Sequence, residues 1–238
     1  MQLFDFEYAL SAFPTLLKGV PISLAIAIVG FILGAILGLI LSLIRIYRVP
    51  ILFQLATLYI SFFRGIPVLV QIFLAYYGIP LVLRYFNHQY GLNIDISGID
   101  AIYFMYLVYA LYCSAYLSEI FRSSILSIDK GQLEAAYSVG MNTTQALFII
   151  ILPQSMLLAL PNILNFFIIL IKETSLVFAA SVPEIMGIAT LEADRSSKFL
   201  EVYIIAALIY WVISIFLEKS FAILETKLLS YKKMMGKS

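Results

Sequence analysis

Lys172-Glu173-Thr174-Ser175 follows a long uncharged run and gathers a cation, an anion and two hydroxyls in four residues. Ionisable groups inside a membrane are costly and as a rule face a cavity or a partner. A small zwitterion that sheds its water needs complementary charges and hydrogen bonds of this kind. The competing reading is a Lys172–Glu173 contact that merely closes a helix. Gln71, Tyr76 and Asn165, with neighbours Tyr77 and Asn162, place further polar tips in apolar sequence. They are candidate members of the same pathway, although Asn and Gln also serve as hydrogen bonds between helices. Glu119 and Arg122 stand three residues apart and read as a structural ion pair.

Other chemistries have little to work with. One cysteine, Cys113, excludes an intrachain disulfide framework and any multi-cysteine metal site, and one histidine, His88, lies in a polar stretch. No Gly-x4-Gly-Lys-Ser/Thr loop is present, so no nucleotide site of that type is expected in the chain. A net charge of +1 gives no bulk field for a nucleic-acid partner.

The elements that must position these residues follow from composition. The 238 residues are 63% hydrophobic and 12% charged, against about 25% charged in a soluble domain. Several runs approach or exceed the ~20 apolar residues that cross a bilayer. The runs are continuous rather than alternating, which predicts helices and not a barrel. Asp5 and Glu7 stand where a signal peptide has basic residues, and the first apolar run is too long for one. The chain is expected to be an all-α membrane protein in one domain over 1–238, with lipid as its solvent.

Five spans are expected. The first covers 20–44, with Gly30, Gly34 and Gly38 at every fourth position, a spacing that lets helices approach closely. Packing inside one subunit is favoured over a dimer seam. In 51–83, Arg64-Gly65 and Pro67 mark a boundary between an interfacial helix to about 63 and a second span from 66. An outer loop over 84–100 precedes a third span at 101–121. The fourth lies in 150–180, with Pro153 and Pro161 early in it, and the fifth at 199–217 after a mixed outer segment, 182–198.

Five spans put the termini on opposite sides. With the C-terminus inside, the connections at Arg45/Arg48 and 122–149 are inside too. These and the tail from Lys219, which includes Lys227, Lys232, Lys233 and Lys237, carry nine Lys/Arg, whereas the outer segments carry four, Lys18, Arg84, Arg195 and Lys198. That asymmetry predicts the N-terminus outside and the C-terminus inside.

The inner loop contains "EAAYSVGMNTTQALFIIILP", residues 134–153. Leu133, Ala136/Tyr137 and Gly140/Met141 recur at helical spacing. Gly140 can end a helix in a left-handed turn, and Asn142-Thr143-Thr144 can cap the next. A short helix, a glycine turn and a second helix make a knob that fits a partner's groove.

Glu134-Ala135-Ala136, three residues, Gly140, nine residues, Ile150, one residue and Leu152-Pro153 resemble the EAA signature of ABC-importer permeases. "SFFRGIPVLVQIF", "SEIFRSSILSIDKGQLEAA", "ILPQSMLLALPNILNFFIILIKETSL" and "VPEIM" extend the resemblance over most of the chain, to the polar amino-acid branch. "LIRIYRVP", "YISFFRGIPVLVQ", "QLEAAYSVGM" and "ALIYWVISIFLEK" are most similar to cystine-type permeases.

The resemblance implies a five-span importer subunit of the bacterial plasma membrane. Glu134, Ala135, Ala136 and Gly140 would form a cytoplasmic coupling helix that docks onto a separate ATPase. ATP and magnesium would bind that partner and no cofactor would bind this chain. A second copy or a related permease would complete the pathway, and an extracellular or periplasmic solute-binding protein would deliver a polar amino acid, L-cystine being the first candidate. Two rival readings are an autonomous ion-coupled amino-acid carrier and a membrane scaffold. The absence of an internal repeat weighs against the carrier.

Overall fold

Gly30, Gly34 and Gly38 explain how two long helices come into close contact. In a computed structural model that describes residues 4–92, 95–96 and 98–235, without the side chains of 229–235, Gly30 lies against Tyr109, Gly34 against Cys113, and Gly38 against Ser114 and Leu117. A β-carbon on Gly30 or Gly34 would fall inside contact distance of those side chains, and one on Gly38 would press on the backbone at Ser114 and Ser118. Both residue numbers rise together along the seam, so the two helices run parallel. The small-residue stripe therefore packs within the chain, as the spacing leads one to expect.

These two helices are α2 (Val20–Ile46) and α6 (Ala101–Leu126). The remaining elements are α1 (Phe6–Leu17), α3 (Leu52–Gly65), α4 (Val68–Phe73), α5 (Ile79–Tyr90), α7 (Lys130–Ser138), α8 (Thr143–Gln145), α9 (Leu152–Glu173), α10 (Ile185–Ser196) and α11 (Phe199–Met235). Five helical units are long and apolar enough to cross a membrane: Phe6–Ile46, Val68–Tyr90, Ala101–Leu126, Thr143–Ala180 and Phe199–Leu228. They correspond to the five expected spans.

Prolines shape the units without ending them. Pro80 and Pro153 cannot donate to the carbonyls four residues back. The chain widens into π-helical turns immediately before each, at Leu74–Gly78 and Ala146–Ile151, and the helices continue. At Ile66-Pro67 the outcome differs, because the residue before a proline is driven into extended backbone. Ile66 has φ −114° and ψ 133°, and α3 stops there. Gln71 Nε2 donates to the stranded carbonyls of Phe63 and Ile66, at 2.9 Å each.

Three expected boundaries are corrected. The helix of the second span runs on to Tyr90, so the segment expected as a loop from 84 begins as α5; its residues Asn93, Ile94 and Ser97 lie outside the described ones, as do Lys237 and the side chains of Lys232 and Lys233. The segment 182–198 holds a twelve-residue helix, α10. The third span continues to Leu126, because its polar end packs against its neighbours rather than unwinding.

The core fills the space between α2, α6 and α9, where Ile26, Met105, Tyr109, Leu170 and Ile171 are fully buried. At one end α1 sets Ala9, Ala12 and Leu16 against Ile185, Ala189 and Val202 of α10 and α11. Polar ties reinforce that layer. The Asp5 backbone N–H donates to Glu201 at 2.9 Å, Lys198 pairs with Asp5 at 3.1 Å, and the Tyr8 hydroxyl donates to Glu192 at 2.6 Å. At the other end the Glu119–Arg122 pair forms at 3.1 Å, and Arg45 from α2 grips the second oxygen of the same carboxylate.

Candidate functional site

Two regions carry the residues that the sequence singles out, one at each depth of the molecule. The first is the loop around α7. Asp129 caps this helix by accepting from the Gly131 N–H at 2.6 Å. Leu133 and Ala136 form its inward face. Leu133 joins a cluster with Ile125, Leu147 and Ile151, and Ala136 is buried.

The helix closes by two hydrogen bonds, Met141 N–H to the Ala136 carbonyl at 3.1 Å and Gly140 N–H to the Tyr137 carbonyl at 3.0 Å. This is the Schellman pairing, which needs a left-handed residue, and Gly140 supplies it with φ +83°. Asn142 and Gln145 then cap α8 reciprocally, at 2.9 and 3.0 Å.

The result is a knob capped at each turn, with a defined outer surface. Glu134, Ala135, Val139 and Gly140 are exposed on it, and a β-carbon on Gly140 would meet nothing within 4 Å. Ala136 and Gly140 do not share a helical face open to a partner, since Ala136 packs inward and Gly140 lies beyond the last helical residue. A cleft of about 340 Å³ lined by Ile46, Tyr47, Ile125 and Leu133 separates α7 from the ends of α2 and α6.

The second region surrounds Glu173 at the end of α9. Its backbone carbonyl accepts from the Tyr109 hydroxyl at 2.6 Å, and its Oε1 from the Tyr112 hydroxyl at 3.0 Å. The other carboxylate oxygen is buried without a partner. An open cavity of about 450 Å³ lies there, walled by Arg64, Gly65, Pro67, Tyr112, Tyr116 and Glu173. The Arg64 guanidinium stands 5.3 Å from the centre of the Tyr116 ring, which also stacks nearly parallel on Phe166 at 5.5 Å. The cavity thus has one anion, one cation and two phenols in an otherwise apolar wall.

The remaining pathway candidates lie elsewhere. Lys172 is exposed and makes no ion pair with Glu173 among the described residues. Thr174 is fully buried, its hydroxyl donating to the Ile171 carbonyl at 2.7 Å, and Ser175 is half-buried. Asn165 is exposed. Gln71 caps the α3 break and lines a separate apolar cleft with Phe62 and Leu107. Tyr76 packs edge-on to Tyr77 at 4.9 Å. Arg64, in contrast, belongs to the cavity although the sequence presents it as a boundary charge. Its signal was the Arg-Gly-x-Pro break itself, which bends the backbone toward α6.

Comparison with known proteins places the whole chain in a family. Residues 30–230 match the family model described as binding-protein-dependent transport system inner membrane component. A probable amino-acid ABC transporter permease protein of Vibrio harveyi, PatM, is 43% identical over 225 residues, 94% of this chain and 96% of that protein. The L-cystine transport system permease protein TcyL of Bacillus subtilis is 39% identical over 227 residues, 95% of this chain and 92% of that one. A crystal structure of an amino acid ABC transporter with histidines superposes with a TM-score of 0.80 at 30% identity, covering 95% of this chain and all of that one. With a loop whose EAA spacing is built on a Schellman turn, and five membrane-length helical units around it, the chain belongs to the binding-protein-dependent inner membrane transport components, as a multi-pass permease subunit of an amino-acid ABC importer in the bacterial plasma membrane.

Proposed function

We propose that this subunit carries a polar amino acid inward, L-cystine being the first candidate, by alternating access driven by a separate ATPase. The observation that carries the reading is the cavity at Glu173. Glu173 and Arg64 line the same space, and one oxygen of Glu173 is buried just behind it without a partner, which matches the opposite charges of an α-amino acid. Glu173 receives the ammonium and Arg64 the carboxylate, while Tyr112 holds the Glu173 side chain in place. Lys172, Thr174 and Ser175 frame the turn that presents Glu173, and Gln71, Tyr76 and Asn165 contribute to packing along the pathway. The name of TcyL supports cystine.

One such subunit has an open cavity wall, so a second copy or a related permease closes it. The N-terminus lies outside and the C-terminus inside, in keeping with the excess of Lys/Arg at the α7 end. A solute-binding protein then delivers the amino acid at the α1–α10 end. At the other end Glu134, Ala135, Ala136 and Gly140 dock on the ATPase, which binds ATP and magnesium. Ala136 acts from within, by seating α7 on Leu147 and Ile151. Movement of the ATPase shifts α7, and the clamp of Glu119 by Arg45 and Arg122 moves α2 and α6 together. Substrate affinity must differ between the two states for ATP binding to drive exchange.

Affinity purification of the full chain from its native membrane, with identification of every copurifying protein, tests the assembly. An ATPase in the sample, and uptake of radiolabelled L-cystine by liposomes that hold the complex only when ATP is present, are the expected results. Uptake driven by an ion gradient without an ATPase would establish the ion-coupled carrier instead. ATP-driven uptake of another amino acid with no cystine transport would retain the importer and discard the cystine assignment.

A further inference from the structure

Glu184 is a carboxylate with no exposure at all, and none of the chemistry above uses it. Its Oε1 accepts from the Gly187 N–H at 2.7 Å, capping α10, and its Oε2 accepts from Tyr210 of α11 at 2.7 Å and Ser23 of α2 at 3.1 Å. The surrounding backbone is cut to fit. A β-carbon on Gly19 would collide with the backbone of Glu184 and Ile185, and one on Gly187 with the Val182 carbonyl. Three helices thus meet on one side chain.

The residues between Glu184 and Glu173 make this knot consequential. Thr174–Ala180 is a 3-10 helix, longer than such segments usually run, and it ends at Ser181 in left-handed backbone with φ +59°. The 3-10 form has poorer hydrogen-bond geometry than the α-helix, and long runs of it mark hinges or strain. Here it is held at both ends. Tyr109 grips the Glu173 carbonyl at one end, and the Glu184 knot holds the other. Val177 and Ala180 between them are fully buried.

We propose that Glu184 is a positioning residue of the transport pathway: by tying α10 to α2 and α11 it fixes the 174–180 segment and so holds Glu173 at its cavity. The naming of Glu173 as the group positioned rests on the amino-acid cavity described above. The work of Glu184 is geometric, because Ser23 and Tyr210 hydroxyls can accept as well as donate. Gln is therefore an adequate replacement and Ala is not. Burial raises the Glu184 carboxyl above the usual carboxylate range, against the hydrogen bonds from Tyr210, the Met186 and Gly187 amides and Ser23, so an uncharged amide suits the site.

The test is spin-label mobility in the full chain purified with its ATPase and held in lipid nanodiscs. A label on Phe178→Cys reports the segment, since Phe178 is exposed, while native Cys113 is fully buried. A second sample labelled at Leu55→Cys, exposed on α3, is the control. Glu184→Ala and Tyr210→Phe are expected to raise the mobile-to-immobile ratio at position 178, by about tenfold for the single lost hydrogen bond in Tyr210→Phe. Glu184→Gln is expected to stay within about twofold of the parent, and the control is expected not to move.

Unchanged mobility at 178 in both Glu184→Ala and Tyr210→Phe overturns the proposal, as does an equal rise at 55. Equal loss of order in Gln and Ala variants also overturns it, by showing that charge and not geometry matters. If Glu184→Ala is not recovered from membranes, Tyr210→Phe decides. No substrate enters the measurement, so its failure is distinct from failure of the cavity assignment.

Discussion

The Tyr112 hydroxyl donates to one oxygen of Glu173 at 3.0 Å and leaves the other oxygen buried and unpartnered. An orphan carboxylate oxygen in an apolar wall is expensive, and a ligand ammonium is the partner that would relieve it. Glu173→Gln removes the charge and keeps the shape. It is expected to weaken amino-acid binding about 10- to 100-fold, the factor for one charged hydrogen bond, with assembly unaffected. Tyr112→Phe leaves the charge and loosens its aim, so a smaller, few-fold loss is expected. Uptake titrations in liposomes measure both, and an unaltered half-saturation concentration in Glu173→Gln would remove the cavity from the pathway.

The glycine seam gives a prediction about stability. Within an exposed helix, Gly→Ala gains up to about 1 kcal/mol from backbone entropy. At Gly34 the new methyl would run into the Cys113 side chain and press on the Ala110 carbonyl and the Ser114 amide. Overpacking of this kind costs about 1–3 kcal/mol and outweighs the gain. Gly34→Ala is expected to lower the thermal unfolding midpoint in detergent, whereas Gly78→Ala, which meets nothing within 4 Å, is not. Equal midpoints for the two would refute the seam.

The spans were legible in the sequence because each is a continuous apolar run, a property that survives ignorance of every tertiary contact. The α7 loop was legible for a different reason. A Schellman turn and a capping box are local, and Gly140, Asn142 and Gln145 declare them within a few residues. What the sequence concealed was pairing. Gln71 reads as a polar pathway residue, yet its amide is spent on carbonyls that Pro67 stranded. Arg64 reads as a boundary, yet the same break swings it over Tyr116. Helix α1 stayed hidden because its small apolar face, Ala9, Ala12 and Leu16, acquires meaning only against α10 and α11.

Topology can be checked without any substrate. The excess of Lys/Arg in the segments expected inside, nine against four, predicts that side to be cytoplasmic. Single cysteines at Asn87, late in α5, and at Asn142, beside Gly140, fall on opposite sides of the third span. In intact cells a membrane-impermeant thiol reagent is expected to label position 87 and to spare position 142 until the membrane is opened. The reverse pattern would invert the subunit and with it the placement of the ATPase.

Gly140 offers the sharpest separation between a turn and a docking surface. With φ +83° it needs a residue that tolerates left-handed backbone, which Asn and Asp do better than other residues with a side chain. Gly140→Asn and Gly140→Asp therefore load the turn alike and differ by one charge. A β-carbon there meets nothing within 4 Å and the position is exposed, so the free subunit should accept both and insert normally. Against an ATPase groove they part company, because an unpaired carboxylate buried at the contact costs several kcal/mol. Gly140→Asn is expected to copurify with the ATPase nearly as the parent does, and Gly140→Asp to lose at least tenfold in association or to hydrolyse ATP without uptake. If the two variants match in both copurified ATPase and uptake, Gly140 is a turn residue alone and the contact must be sought on Glu134 and Ala135.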